Sequence, residues 1–265
     1  MPSIRNSYST KKRFVKSFLT EIRLYSKKLL TYNRHAHKID EPFIFVKKEQ
    51  QPVTIENIKN AYAARRDEIR ARLAEFSAIW ASKSDERLWE EMVFCFFTGG
   101  CSARMGMRSI EAVRPLLITG THDELMNALV GRHRYPRARS GYIVASRDFL
   151  QQHCGLRLRE KLASFEDPLA RRDWLVKEKG IKGLGYKEAS HFLRNIGLKG
   201  YAILDKHILR SLAELEIIDD PKPPSTRLKY LTIEEKLKNL AAAAQIDFDE
   251  LDLVLWSMKT GEILK

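Results

Sequence analysis

The chain is short of cysteine, of long apolar runs and of acidic residues, and each shortage closes off a class of protein. Its three cysteines, Cys95, Cys101 and Cys154, form no C-x-x-C pair. That argues against a disulfide framework or a zinc ribbon and fits a reducing compartment. No apolar stretch approaches the roughly 18 residues that a membrane span needs, and the most apolar one, residues 92–97, is far shorter. There is no G-K-[ST] phosphate loop, so ATP is not implied. No alternating run is long enough for a sheet, and no repeat of fixed period occurs. What the chain does have is a core and a surplus of positive charge. Of its 265 residues 44% are hydrophobic, which excludes wholesale disorder and suits one large or two small domains. Against 34 Asp and Glu stand 47 Lys and Arg, a net charge of +13 that points to a polyanionic partner, nucleic acid before others.

The charge is unevenly placed. Residues 1–50 hold twelve basic and four acidic residues, so this head carries eight of the thirteen surplus charges. It reads as a basic N-terminal extension, with apolar residues at helical spacing over 12–30. An extra grip on phosphates, a poorly ordered arm and a targeting peptide all remain open for it; a secretory signal does not, since no apolar h-region is present. From 51 to 265 the pattern is helical almost throughout. Helices are expected over 55–80, 85–97, 102–113 (with Ser102 as cap and Pro115 as stop), 122–130, 138–152 and 167–179. Further helices are expected over 187–195, 206–216, 233–244 and 249–261, with 219–225, which contains three prolines, as a loop. The expected fold is all-α.

The informative stretch is 174–209. A helical segment ends near Gly180, the loop Ile181-Lys182-Gly183-Leu184-Gly185-Tyr186 follows, and a new helix starts at Lys187. Glycines two apart permit a tight turn, which exposes the amides of the next helix to a phosphate. This is a helix-hairpin-helix pattern, which holds a DNA backbone without reading sequence. A plain corner between helices could give the same G-x-G spacing. Lys187 sharpens the signal, because a lysine in the first turn opposes the helix dipole and local stability would not select it. That field, with some burial, disfavours the ammonium form, and a neutral amine is a nucleophile able to form a Schiff base. Eighteen residues on, Asp205 follows the apolar run Ala202-Ile203-Leu204 and precedes a helix. An ordinary N-cap accounts for it; so does a carboxylate that steadies a cationic sugar and assists proton movement.

The segment Gly183-Leu184-Gly185-Tyr186-Lys187-Glu188-Ala189-Ser190-His191-Phe192-Leu193-Arg194-Asn195, followed by Ala202-Ile203-Leu204-Asp205-Lys206-His207, closely resembles the type 2 8-oxoguanine DNA glycosylase/AP lyases of the helix-hairpin-helix superfamily. The resemblance extends to Thr98-Gly99-Gly100-Cys101-Ser102-Ala103, to Arg132-His133-Arg134-Tyr135-Pro136 and to residues 252–261, and covers roughly 55–265. It implies two helical subdomains, 83–198 and 54–82 plus 199–265, with a DNA-binding cleft between them. It also implies excision of a flipped 8-oxoguanine through a Schiff base on Lys187, with Asp205 as the essential acid, and a nick 3′ to the abasic site by β-elimination. By the same resemblance Trp256 stacks on the extruded base, Lys265 contacts it at the chain end, and the apolar residue opposing Trp256 falls near 142–145. Backbone contacts are expected from Lys182, Gly183, Gly185, Arg134 and Arg139. The last two sit in a stretch, 132–147, with five arginines and no acid, which could equally be a solvated basic face.

No cofactor and no metal are expected. His191 and His207 lack a ligand partner at helical spacing, and no cysteine follows Cys154 to hold the iron–sulfur cluster of related glycosylases. The expected partner is double-stranded DNA containing oxidised guanine, engaged by a monomer with no membrane attachment. The expected location is that of the DNA: cytoplasm and nucleoid in a prokaryote, organelle or nucleus otherwise. Two rivals stay open at this level, a non-catalytic DNA-binding hairpin module and the same fold acting on another damaged base.

Overall fold

The computed structural model describes residues 52–264. The basic head, with its expected helix, and Lys265 lie outside the described residues. Among the described residues there is no strand, as the sequence predicts, and no helix long and apolar enough to cross a membrane. The described residues form eleven α-helices, in order α1 Ile55–Ala81, α2 Asp85–Thr98, α3 Ala103–Val113, α4 His122–Leu129, α5 Pro136–Cys154, α6 Leu158–Ala163, α7 Pro168–Lys177, α8 Tyr186–Asn195, α9 Lys206–Glu214, α10 Arg227–Ala244 and α11 Phe248–Thr260.

Most starts are written in the sequence as side-chain caps. Thr54, Ser84, Ser102 and Thr121 each accept a backbone amide three residues on, and Thr121 completes a capping box with Glu124. Pro115 ends α3 in a single 3₁₀ turn, Arg114–Leu116. Where the expected bounds differ, the reasons are local. α5 begins two residues early because Pro136 occupies the first helical position, where its missing N–H costs nothing. α10 begins at Arg227, six residues early, because Thr226 caps it, although Leu228 in its first turn is left 75% exposed. The six-residue α6 is too short to show a period and was not foreseen.

Two apolar clusters organise the packing. The first is built round α2, whose second half, residues 92–97, is apolar on every face and therefore buried all round, with Trp89, Phe94, Phe96 and Phe97 fully enclosed. Helices α3 to α8 cover it. The second gathers Ile58 and Ile69 of α1 with the inner faces of α9, α10 and α11. Each large apolar side chain enclosed in this way contributes about 1.5–3 kcal/mol relative to exposure. The chain crosses from the first cluster to the second between Tyr201 and Ala202, just before Asp205.

Candidate active site

The hairpin joins α7 to α8 through residues 178–185. Gly183 has φ +79°, and a Cβ there would lie 2.5 Å from Tyr142 Cδ2, so both the turn and the approach of α5 require glycine. Gly185 behaves differently from expectation: its backbone is extended, φ −88°, and it serves as the N-cap of α8. Ile181 and Leu184 are buried and anchor the loop, and the Lys182 amide donates to Ser146 Oγ on α5 at 2.8 Å. The α8 start has no side-chain cap, so its first amides take no bond from a capping side chain.

Lys187 is the second residue of α8. Its side chain is 24% exposed, with Nζ 3.3 Å from Glu188 Oε1. Asp205 is the N-cap of α9. The amides of His207 and Ile208 donate to the same oxygen, Oδ1, at 2.8 and 2.9 Å, which leaves Oδ2 outside the cap. Lys187 and Asp205 line one cavity of about 930 Å³, together with Gly185, Trp256, His191, His207 and Asp252. That volume lies at the upper end of the range for small-molecule pockets and is ample for one extruded nucleotide.

Two lining residues, Asp252 and Arg194, carry charges that the sequence did not single out. Burial pushes the Asp252 carboxyl above its usual range, with the Asp205 charge adding and Arg194 opposing. Arg194 Nη2 stands 3.8 Å from Asp252 Oδ2, while Arg194 Nε, Arg194 Nη1 and Asp252 Oδ1 are buried without a hydrogen-bond partner. Burial holds His207 below its ordinary value against the pull of Asp205, and its ring meets Trp256 edge-on with centroids 6.3 Å apart. Arg104 pairs with Glu262, and Arg65 donates to the Gly261 carbonyl at 3.2 Å, which holds the tail whose Glu262 and Leu264 also line the cavity.

Lys182, Gly183, Arg134 and Arg139 are not among the cavity's lining residues. Lys182 and Arg134 are exposed, and Arg134 sits over the Tyr135 ring. Arg139 donates to the Gly99 carbonyl at 2.5 Å, so it braces the loop after α2. Arg147 likewise donates to Gly120 at 2.8 Å, leaving Arg132, Arg134 and Arg137 as the exposed cations of that stretch. Val144 packs against the first apolar cluster and is not among the cavity residues.

Residues 69–246 match the family model described as 8-oxoguanine DNA glycosylase. The chain belongs to the 8-oxoguanine DNA glycosylase family. It is 41% identical over 201 residues to the 8-oxoguanine DNA glycosylase/AP lyase of Korarchaeum cryptofilum, a match covering 76% of this chain and 91% of that one. It is 38% identical over 212 residues to the glycosylase/lyase of Methanocaldococcus jannaschii, covering 80% and 97% of the two chains. Of solved structures, the M. jannaschii enzyme in complex with a 15mer DNA containing 8-oxoguanine matches with TM-score 0.73 and 36% identity, over 80% of this chain and 99% of that one. The 8-oxoguanine DNA glycosylase of Thermotoga maritima matches with TM-score 0.72 and 31% identity, over 80% and 98%. Family membership thus agrees with the resemblance read from the hairpin and the Asp205 segment, and the all-α architecture is the one these glycosylases share.

Proposed function

We propose that this chain excises 8-oxoguanine from duplex DNA and then cuts the strand 3′ to the vacated sugar. The observation that carries it is the meeting of Lys187, Asp205 and Trp256 in one cavity, each brought there by a different helix. The damaged nucleotide swings out of the stack into the cavity, where Trp256 offers an aromatic face. The Lys187 amine attacks C1′ while the bond from C1′ to the base breaks. The bonding pair leaves with the base, which takes up a proton. The Asp205 carboxylate faces the cationic sugar and stabilises it. Glu188, beside Nζ, is placed to receive the proton the amine gives up. Once the sugar ring has opened the nitrogen holds C1′ as a protonated Schiff base. Loss of a C2′ proton then expels the 3′ phosphate and nicks the strand.

The start of α8 and the exposed Lys182 beside it suit a phosphate of the DNA backbone, as do Arg134 and its exposed neighbours. Arg139 contributes by fixing the Gly99 loop. Lys265 keeps its role at the base as part of this proposal. A panel of duplexes with one lesion each tests the reading: 8-oxoguanine, an oxidised pyrimidine and an alkylated purine. Excision and nicking of the 8-oxoguanine duplex, with the others cut at least about tenfold more slowly, is expected, since a pocket that hydrogen-bonds its base strongly rejects one lacking those groups. Preference for another lesion would reassign the substrate, and binding without cleavage of any would leave a DNA-holding module.

A further inference from the structure

Lys187 and Asp205 sit on different segments, one on α8 and the other at the end of the irregular segment 201–205. A third element, α10, meets both segments through Tyr230, which itself lines the cavity. The Tyr230 hydroxyl donates to the Ala202 carbonyl at 2.7 Å, receives the Leu204 amide at 3.5 Å and stands 3.3 Å from Ser190 Oγ. A phenol has a single proton, here given to Ala202, so Ser190 must supply the proton of the last contact. Ser190 lies one turn beyond Lys187 on α8. One oxygen therefore ties the helix of the proposed nucleophile to the peptides that lead into Asp205.

A second tie runs parallel. Glu234, one turn along α10 from Tyr230, accepts the Ala202 amide on Oε2 at 2.9 Å, so the Ala202 residue is held at its N–H and its C=O by α10. Glu234 is fixed in turn by Arg172 of α7, through Nη1 at 2.6 Å and Nη2 at 3.0 Å, and Arg172 Nη1 also donates to Ser190 at 3.1 Å. Tyr230 and Glu234 are 2% exposed, and Arg172 and Ser190 fully buried. Apolar side chains of similar size could fill such a space about as stably. Directional bonds in a dry interior add a fixed geometry, because any slippage leaves a buried group unsatisfied.

We propose that Tyr230 is a positioning residue of the excision reaction, its hydroxyl setting the reach between the Lys187 amine and the Asp205 carboxylate. The inference rests on the function proposed above. The test uses the full chain and the variants Tyr230→Phe, which keeps the ring, and Ser190→Ala, which cuts the link at α8. Three quantities are measured: the single-turnover excision rate on an 8-oxoguanine duplex at saturating enzyme, the affinity for a duplex carrying an uncleavable tetrahydrofuran abasic site, and the thermal midpoint. A misplacement near 1 Å can cost on the order of a hundredfold in rate. Each variant is expected to fall about ten- to a hundredfold in rate while holding affinity within about twofold. Tyr230→Phe as fast as wild type overturns the inference, as does a loss of rate matched by an equal loss of affinity. Should Tyr230→Phe fail to fold, the rate-against-affinity split in Ser190→Ala decides. Wild type unable to cut the lesion duplex overturns the proposed function and the inference together, whereas an active wild type with unimpaired variants overturns the inference alone.

Discussion

Replacing Glu234 by alanine strands a guanidinium in the middle of the protein. Arg172 and Glu234 side chains are 1% and 3% exposed, joined by two parallel bonds, with the Ala202 amide as a third donor to the same carboxylate. Burial works against the Arg172 charge, yet the bonds and the nearby Glu234 anion more than offset it and hold its pKa above the ordinary value. Removing one member of such a pair costs about 3–5 kcal/mol, a large part of the 5–15 kcal/mol by which a typical domain is stable. For a unit of this size each kcal/mol moves the thermal midpoint by about 2–4 °C, so a drop of about 6–20 °C is expected. The three tyrosine rings around Arg172, those of Tyr186, Tyr201 and Tyr230 at 5.2–5.9 Å, soften the loss without supplying a counter-charge. Thermal and urea unfolding followed by circular dichroism measures it, and the double variant Arg172→Met/Glu234→Leu should recover most of the stability because it removes both charges. A Glu234→Ala midpoint within about 2 °C of wild type would refute the reasoning, as would a double variant less stable than the single.

Further expectations concern the site and its surroundings. Asp205→Asn keeps an oxygen that can cap α9 but loses the charge, so it should bind lesion DNA like wild type and lose about a hundredfold or more in single-turnover excision; equal rates would remove Asp205 from the chemistry. Trp256→Ala should weaken binding of the 8-oxoguanine duplex by about 1–3 kcal/mol, leaving the undamaged duplex unaffected, as read by fluorescence anisotropy; equal losses on both duplexes would make Trp256 structural. His133 receives the Tyr135 amide on Nδ1 at 3.0 Å, so Nε2 carries the ring proton toward the Phe97 carbonyl, and burial places its pKa below the ordinary 6.5. The unfolded chain therefore takes up a proton first. This contribution to stability is intact above the ordinary value of 6.5 and is lost as the pH falls through it toward the folded-state value. Stability of His133→Gln should accordingly depend less on pH between about 7 and 5 than that of wild type, and identical slopes in urea titrations would contradict this.

The sequence disclosed what is local. Asp205 sits before a helix and caps it; Gly183 occupies the one hairpin position with positive φ; Ser102 and Pro115 bracket α3 as their chemistry requires. The convergence of Lys187 and Asp205 was legible only through the resemblance, since nothing in their spacing specifies a shared cavity. What stayed hidden is long-range. Tyr230, Glu234 and Arg172 carry no local mark of their bonds to Ala202 and Ser190. Asp252 and Arg194 were seen only as members of family segments, because burial, which gives them their character, is a property of the packed molecule. Arg139 read as a free cation, yet it turns inward to Gly99, a contact fixed by tertiary structure.

Reduction with borohydride during reaction with an 8-oxoguanine duplex tests the central claim most directly, because it converts the Schiff base into a permanent bond. Peptide mapping of the trapped complex is expected to place the DNA on Lys187, with no adduct in Lys187→Ala. An adduct on any other residue, or undiminished trapping by Lys187→Ala, would contradict the account.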